Sequence, residues 1–160
     1  MSRSPDLKPV HGAATQALSA ELSVGYLVGR ARTALLTSLD TELEPFGLTG
    51  AQFSVLKNVA EGTAATAAEL CRTMHYDTGS MTRMLDRLEE KAVLRRERCT
   101  KDRRVVFLRM TTTGEELLPQ LRSAAVRVLA RHLAGFNPEE VANLKQYLER
   151  MIENGLPVNS

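Results

Sequence analysis

The chain has 160 residues, of which 43% are hydrophobic and 25% charged, which suits one compact globular domain with an oligomerisation extension. Aromatic residues make up only 4% and tryptophan is absent, so Leu, Ala, Val and Met must fill the core, and these residues favour a mainly helical fold. The two cysteines, Cys71 and Cys99, exclude a disulfide framework. The N-terminus lacks the apolar stretch of a signal peptide, and no run approaches the roughly 18 apolar residues of a membrane span, so we expect a cytoplasmic protein without membrane contact.

The positive charge of the chain is concentrated in its middle third. The formal net charge is only +2, but residues 66–111 hold 11 Lys and Arg against 7 Asp and Glu, whereas each flank holds 5 against 6. Within the middle, Arg95–Arg104 reads RRERCTKDRR and has six basic residues against two acidic ones. Such a segment is typical of a surface that binds phosphates, although it is also typical of a solvated face.

The N-terminal part is predicted to be an arm followed by a long helix. Residues 1–20 contain prolines and small polar residues, which predict a flexible arm with room for a short helix near Thr15–Ala20. Over Leu22–Leu43 apolar side chains recur at helical spacing, and Pro45 and Gly47 end this helix. The apolar surface is too wide to be covered on one side alone.

Three short helices follow, and the last two have the outline of a helix-turn-helix. The signals for their starts are the capping boxes Thr49-x-x-Gln52 and Thr66-x-x-Glu69 and the cap residue Asp77. A brief turn at His75-Tyr76 separates the second helix from the third, which we expect over about Thr78–Lys91.

After the third helix the spacing becomes strand-like. Val93-Leu94 precedes the basic run and Val105–Met110 is rich in β-branched residues, which predicts a β-hairpin with an open loop at Cys99–Asp102. Two more helices are expected, one opened by Thr112-x-x-Glu115 and one by Asn137-Pro138-Glu139-Glu140.

DNA binding requires a rigid element that fits the major groove and cations that neutralise phosphates, and the helix from Thr78 offers both. Its candidate contact residues are small, polar or basic: Thr78, Gly79, Ser80, Thr82, Arg83 and Arg87. The hairpin supplies a second set of candidates: Arg95, Arg96, Arg98, Lys101, Asp102, Arg103 and Arg104. A loop tipped with Arg103 and Arg104 would enter a minor groove, whose negative potential attracts arginine. Asp102 would repel phosphate unless it pairs with, and so orients, an adjacent arginine.

Five segments in the middle of the chain form a recognisable set. They are LTGAQFSVL at Leu48–Leu56, AAEL at Ala67–Leu70, GSMTRMLDRLEEKAVLRR at Gly79–Arg96, Asp-x-Arg at Asp102–Arg104 and TTTGEELL at Thr111–Leu118. Together they resemble the multiple antibiotic resistance regulator (MarR) family. The resemblance implies a mainly α fold with a flexible arm over residues 1–20, dimerisation helices over 21–47 and 112–155, and a winged helix-turn-helix DNA-binding domain over 48–111.

The resemblance also implies a function and assigns roles by position. Such proteins are homodimers that mostly repress promoters at pseudo-palindromic sites in double-stranded DNA, and many release DNA when a small phenolic or other aromatic compound binds. The residues that would face the major groove are Thr78, Ser80, Thr82 and Arg83. Arg104 would be the wing-tip arginine with Asp102 as its support, and Arg87 and Arg96 would lie near phosphates or an anionic ligand. Val105 departs from the small residue often found after the Asp-x-Arg motif.

A pocket for an aromatic acid is the least specific expectation. Its candidate lining residues are Tyr26, Arg30, Phe46, Phe53 and His75. The commoner role of a residue such as Phe53 is a place in the core, and that of His75 is to end a helix.

Two other classes of function stay open at this point. A winged-helix module that binds protein instead of DNA would share the fold, although the basic wing and Arg83 speak against it. A redox-sensing regulator would use Cys99, because nearby cations lower the pKa of a thiol, whereas Cys71 has the place of an inert core thiol. The sequence pairs no nucleophile with a base and has no zinc-ligand spacing, so we expect neither an enzyme nor a bound metal or cofactor.

Overall fold

The computed structural model describes residues 12–102 and 104–155, with side chains from Ser23 onward. The elements are, in chain order, α1 (Gly12–Leu43), a 3₁₀ turn (Glu44–Phe46), α2 (Gly50–Ala60), α3 (Ala67–Met74), α4 (Thr78–Glu90), β1 (Leu94–Arg98), β2 (Val106–Met110), α5 (Thr112–His132) and α6 (Pro138–Asn154). The fold is mainly helical with an antiparallel hairpin, as the sequence predicts. No helix in this part of the chain is long and apolar enough to cross a membrane.

The first helix begins earlier than the sequence analysis predicts. It is continuous from Gly12, so residues 12–20 do not belong to a flexible arm, and residues 1–11 lie outside the described part of the chain. The segment is rich in alanine, the strongest helix former, which explains how it extends the helix despite the glycine at its start. At the other end Pro45 lies in the 3₁₀ turn, and Gly47 adopts the left-handed conformation with φ of 65°.

Side-chain caps fix most of the helix starts, as predicted. Both halves of the capping box are formed at Thr49 for α2, at Thr66 for α3 and at Asn137 for α6. The helix α5 begins at Thr112, as predicted, and its cap is the preceding Thr111, which accepts a hydrogen bond from the Gly114 backbone amide. The Thr111 hydroxyl also donates to the Ala92 carbonyl at 2.6 Å, a contact with another element that local sequence does not reveal.

The core lies where α2, α3, α4, the hairpin and α5 meet the end of α1. Its fully buried large side chains are Leu43, Val55, Leu56, Leu70, Met81, Leu85, Leu88, Leu94 and Leu121. Met81, Leu85 and Leu88 anchor α4 by one face and leave its opposite face outside.

The hairpin has hydrogen bonds between its own strands and one to the segment that precedes α3. Its five pairs run from Leu94 opposite Met110 to Arg98 opposite Val106. The Leu108 amide donates to the Ala65 carbonyl at 2.8 Å, so one hydrogen bond ties β2 to the chain just before α3. The connecting loop spans residues 99–105 and is longer than the predicted Cys99–Asp102.

A wide apolar surface is left uncovered on the terminal helices. None of the described residues of α6 is buried. Large apolar side chains that stay exposed in one protomer are Val24, Tyr26, Leu27 and Val28 on α1, Val126 and Leu129 on α5, Phe136, and Leu144, Tyr147, Leu148, Met151 and Ile152 on α6. Contiguous apolar surface of this kind marks an interaction site.

Candidate nucleic-acid interface

The N-terminal turn of α4 is exposed and is capped by Asp77. Asp77 accepts a hydrogen bond from the Ser80 backbone amide at 2.8 Å, and Thr78 and Gly79 are exposed. The hydrogen bonds from Ser80 hold the pKa of the Asp77 carboxyl below its ordinary range, so the cap stays ionised at neutral pH. The turn therefore has a fixed geometry, which an element that reads base edges needs.

Two arginines of α4 lie on its exposed side. Arg83 donates to the Ser80 hydroxyl at 3.3 Å, which holds its guanidinium near the helix N-terminus, and Arg87 follows one turn later. Thr82 is exposed as well, and its hydroxyl donates to the Thr78 carbonyl at 2.8 Å. Thr78, Gly79, Thr82 and Arg83 are thus exposed, and Ser80 is half-buried beside them at the N-terminal end of α4.

The described residues of the hairpin loop carry exposed cations. Arg98, Lys101 and Arg104 are exposed, while Arg103 lies outside the described residues. Asp102 accepts a hydrogen bond from the Arg104 backbone amide at 2.9 Å, and the Val105 amide donates to the Asp102 carbonyl at 3.0 Å. The carboxylate therefore shapes the loop at Arg104 through the backbone and does not pair with its guanidinium.

The outer face of the hairpin shares one carboxylate between two arginines. Arg95 and Arg109 are directly opposite each other across the strands. Glu97 lies 3.5 Å from Arg95 and 3.8 Å from Arg109, which offsets their mutual repulsion. Arg109 also stacks on Phe107 at 5.5 Å. Sequence analysis missed Arg109, although its place opposite Arg95 follows once the hairpin register is known.

Arg96 lies on the inner face of the hairpin, against α4, where its side chain is only 29% exposed. Its guanidinium donates to Asp86 at 2.7 Å and to Glu89, and its backbone amide donates to Glu89 at 2.8 Å. Partial burial lowers the pKa of Arg96, but the hydrogen bond to Asp86 and the charges of both carboxylates outweigh this and raise the pKa above its ordinary range. This geometry differs from the expected contact with phosphate or an anionic ligand.

The five candidate ligand-pocket residues do not converge within one protomer. Arg30 stacks on Tyr26 at 5.8 Å, and both line an open groove along α1 with Gly25, Gly29 and Thr33. Phe53 is 6% exposed and belongs to the core, and Phe46 is half-buried against that core.

His75 ends α3 in the left-handed conformation with φ of 54°, and its side chain is exposed. Phe53 is therefore a core residue and His75 a helix-ending residue, the commoner roles of such side chains. The groove at Tyr26 and Arg30 includes neither of them.

The two cysteines have separate environments. Both thiols are free and half-buried. Cys71 packs against the core, as predicted for a core thiol, and Cys99 follows β1 at the base of the basic loop, where its amide donates to the Val105 carbonyl. Redox sensing through Cys99 stays a prediction.

A helix-turn-helix followed by an antiparallel hairpin, with a polar and basic helix N-terminus on the outside, defines the winged helix-turn-helix class of protein. The family model that matches the chain, over residues 46–105, is described as the MarR family. The multiple antibiotic resistance protein MarR of Escherichia coli (strain K12) is 32% identical over 115 residues, which cover 71% of this chain and 80% of that protein. The chain belongs to the MarR family of transcriptional regulators.

Two further comparisons agree with this membership. The HTH-type transcriptional repressor MdtR of Bacillus subtilis (strain 168) is 29% identical over 121 residues, which are 76% of either chain. A crystal structure of a mutant MarR from E. coli complexed with operator DNA matches with a TM-score of 0.74 and 28% identity, over 82% of this chain and 95% of that chain.

Proposed function

We propose that the protein is a homodimeric repressor that binds a pseudo-palindromic site in double-stranded DNA. The observation that carries the proposal is the exposed N-terminal turn of α4, with Thr78, Gly79, Ser80, Thr82 and Arg83 on a helix that its apolar face anchors in the core. A helix presented in this way fits the major groove, and the exposed Arg98, Lys101 and Arg104 of the wing supply contacts to a neighbouring groove or to phosphates. A structural relative was crystallised with operator DNA, which supports the same use here.

The second copy of the chain is the proposed cover for the exposed apolar side chains of α1, α5 and α6. The helix α6 has no buried residue in one protomer, and a helix with one apolar face needs a partner for it. We therefore assign residues 21–47 and 112–155 to dimerisation and 48–111 to DNA binding. A two-fold dimer would set two α4 helices about one turn of DNA apart, which is why the site should be pseudo-palindromic.

The test is a titration of the purified dimer against the DNA upstream of its own gene, read by mobility shift over a range of salt concentrations. Arg83→Ala should weaken binding by about 1–3 kcal/mol if Arg83 contacts a base, and should relax the sequence preference. Arg104→Ala should weaken binding and lower the slope of log affinity against log salt by about one. Lys57→Ala is the matched control, because Lys57 is an exposed cation on α2 that belongs neither to the candidate DNA contacts nor to the segments assigned to dimerisation.

The outcomes separate the classes of function. A dimer, intact by light scattering, that gives no specific shift at moderate salt would contradict DNA binding and favour a winged-helix module for a protein partner. An unchanged sequence preference in Arg83→Ala would place Arg83 on a phosphate instead of a base.

We further propose that a small phenolic compound or aromatic acid releases the protein from DNA. Tyr26 and Arg30 present a stacked ring and a guanidinium on an open groove, which suits an aromatic carboxylate once a second protomer covers α1. A thermal-shift screen of aromatic acids, followed by DNA release, tests this. Compounds that no longer release DNA from Arg30→Ala would support a binding site at Tyr26 and Arg30. Compounds that still release DNA from this variant would show that they bind elsewhere.

A further inference from the structure

The hairpin is anchored to the rest of the domain through its base, which packs into the core. Leu94 and Leu108 are buried, and the Leu108 amide bonds to the Ala65 carbonyl. These contacts hold the base of the hairpin, while the exposed loop that carries Arg104 extends beyond them. A two-stranded hairpin is marginally stable by itself, so its direction depends on what its inner face touches.

The main polar contact of that inner face is an ion cluster between β1 and α4, formed by Arg96, Asp86 and Glu89. Asp86 and Glu89 are three residues apart and therefore project from one side of α4. The Arg96 guanidinium bridges both carboxylates and reaches the Thr82 carbonyl at 3.5 Å. Its Nη1 donates to both carboxylates while its Nη2 points to the Thr82 carbonyl, and the planar group fixes the directions of these two nitrogens, which the single nitrogen of a lysine does not.

We infer that Arg96 is a positioning residue: the ion cluster fixes the wing relative to α4, so that the loop and the helix meet the DNA as one unit. This inference rests on the proposed function. The guanidinium of Arg96 binds Asp86 and Glu89, so it does not contact a phosphate. Arg96 affects DNA binding indirectly, because it sets the position of the wing arginines. The cluster carries two negative charges against one positive charge. A contact of Arg96 with phosphate and a positioning role therefore predict opposite changes in DNA affinity when one carboxylate is neutralised.

Neutralising the carboxylates separates the two roles by the direction of the effect. Asp86→Asn removes a negative charge near the proposed DNA surface and loosens the hold on Arg96. If Arg96 contacts phosphate, this change frees the guanidinium and raises the affinity for DNA. If Arg96 positions the wing, the affinity falls although the repulsion has been reduced, and we expect this result.

A double-mutant cycle with the wing arginine gives the second readout. We expect Arg96→Gln to weaken operator binding about tenfold in the wild-type background and less than about threefold in the Arg104→Ala background, because residues that act through one another are not additive. In the Arg83→Ala background the full tenfold loss should remain. Equal losses in all three backgrounds would overturn the inference.

Arg96→Lys is the conservative control. It keeps the charge, but its single nitrogen cannot reach both the carboxylates and the Thr82 carbonyl in the directions that the guanidinium fixes, so we expect partial recovery of the affinity. Full recovery by lysine would show that charge alone suffices and would overturn the positioning role. Thermal unfolding at fixed protein concentration checks that each variant is folded. Should Arg96→Gln fail to fold, Asp86→Asn leaves the pair of Arg96 and Glu89 in place and decides the question alone.

The controls also separate this inference from the proposed function. If wild-type protein gives no specific shift, the proposed function fails. If wild-type protein binds and Arg83→Ala weakens it, but Asp86→Asn tightens binding or the cycle is additive, the positioning role alone fails.

Discussion

The close approach of α5 to the start of the wing depends on the absence of a side chain at Gly114. A Cβ atom at this position would lie 2.1 Å from the Val93 carbonyl oxygen and 2.9 Å from the Met110 side chain. The same carbonyl accepts the Thr111 amide at 3.3 Å, so α5 cannot move away without weakening that hydrogen bond. Overpacking costs about 1–3 kcal/mol and a lost buried hydrogen bond about 1 kcal/mol, so Gly114→Ala should destabilise the protein by about 2–4 kcal/mol.

The assay is thermal unfolding at one protein concentration, because the melting temperature of an oligomer depends on concentration. For a chain of this length the loss corresponds to a fall in Tm of roughly 5–15 °C. Thr113→Ala is the matched control, since Thr113 is exposed one residue earlier in the same helical turn and should change stability by less than about 0.5 kcal/mol. A Gly114→Ala protein that melts within about 2 °C of wild type would refute the steric reasoning.

Two other predictions concern stability. Ala92 adopts φ of 54° at the end of α4, so Ala92→Gly should stabilise the protein by about 0.5–1 kcal/mol, and an unchanged or lower Tm would contradict this. Hydrogen bonds from Arg127 at 2.8 Å and Arg131 at 2.9 Å lower the pKa of Glu42 from its ordinary value of 4.5. This stabilisation is therefore present above pH 4.5 and is lost as the pH falls through the folded-state pKa. Wild type should exceed Glu42→Gln in Tm at neutral pH, with a difference that shrinks in acid; a constant difference would mean that the ion pairs do not link α1 to α5.

The features that sequence predicts best are those that local chemistry decides. The caps at Thr49, Thr66, Asp77 and Asn137 each satisfy amides within three residues, so the segment itself contains both partners. The cap of α5 at Thr111 also bonds to Ala92, nineteen residues away, a partner that the segment itself does not contain. The helix α1 begins at Gly12, earlier than predicted, because the alanines that follow favour a helix more than the glycine opposes it.

The ligand residues show a different difficulty. An aromatic residue at helical spacing fits a core more often than a pocket, and only packing decides between them in a given case. Phe53 lies on the inner side of α2 and is buried, whereas Tyr26 lies on a part of α1 that is exposed in one protomer. The second chain of the proposed dimer would change the environment of Tyr26 and leave that of Phe53 as it is.

In the basic segment, the alternation of residues along β1 places similar charged side chains on opposite faces of the hairpin. Successive residues of β1 point to opposite faces, so Arg96 shares the face of the buried Leu94, while Arg95 and Glu97 point outward. The alternation that starts at the buried Leu94 places Arg96 on the inner face. A partly buried charge needs a partner of opposite sign, and Asp86 and Glu89 are the partners of Arg96. A count of positive charges therefore overstates what the wing offers to phosphates. The salt dependence of DNA binding should follow the exposed cations of the loop, and the orientation of that loop should follow Arg96.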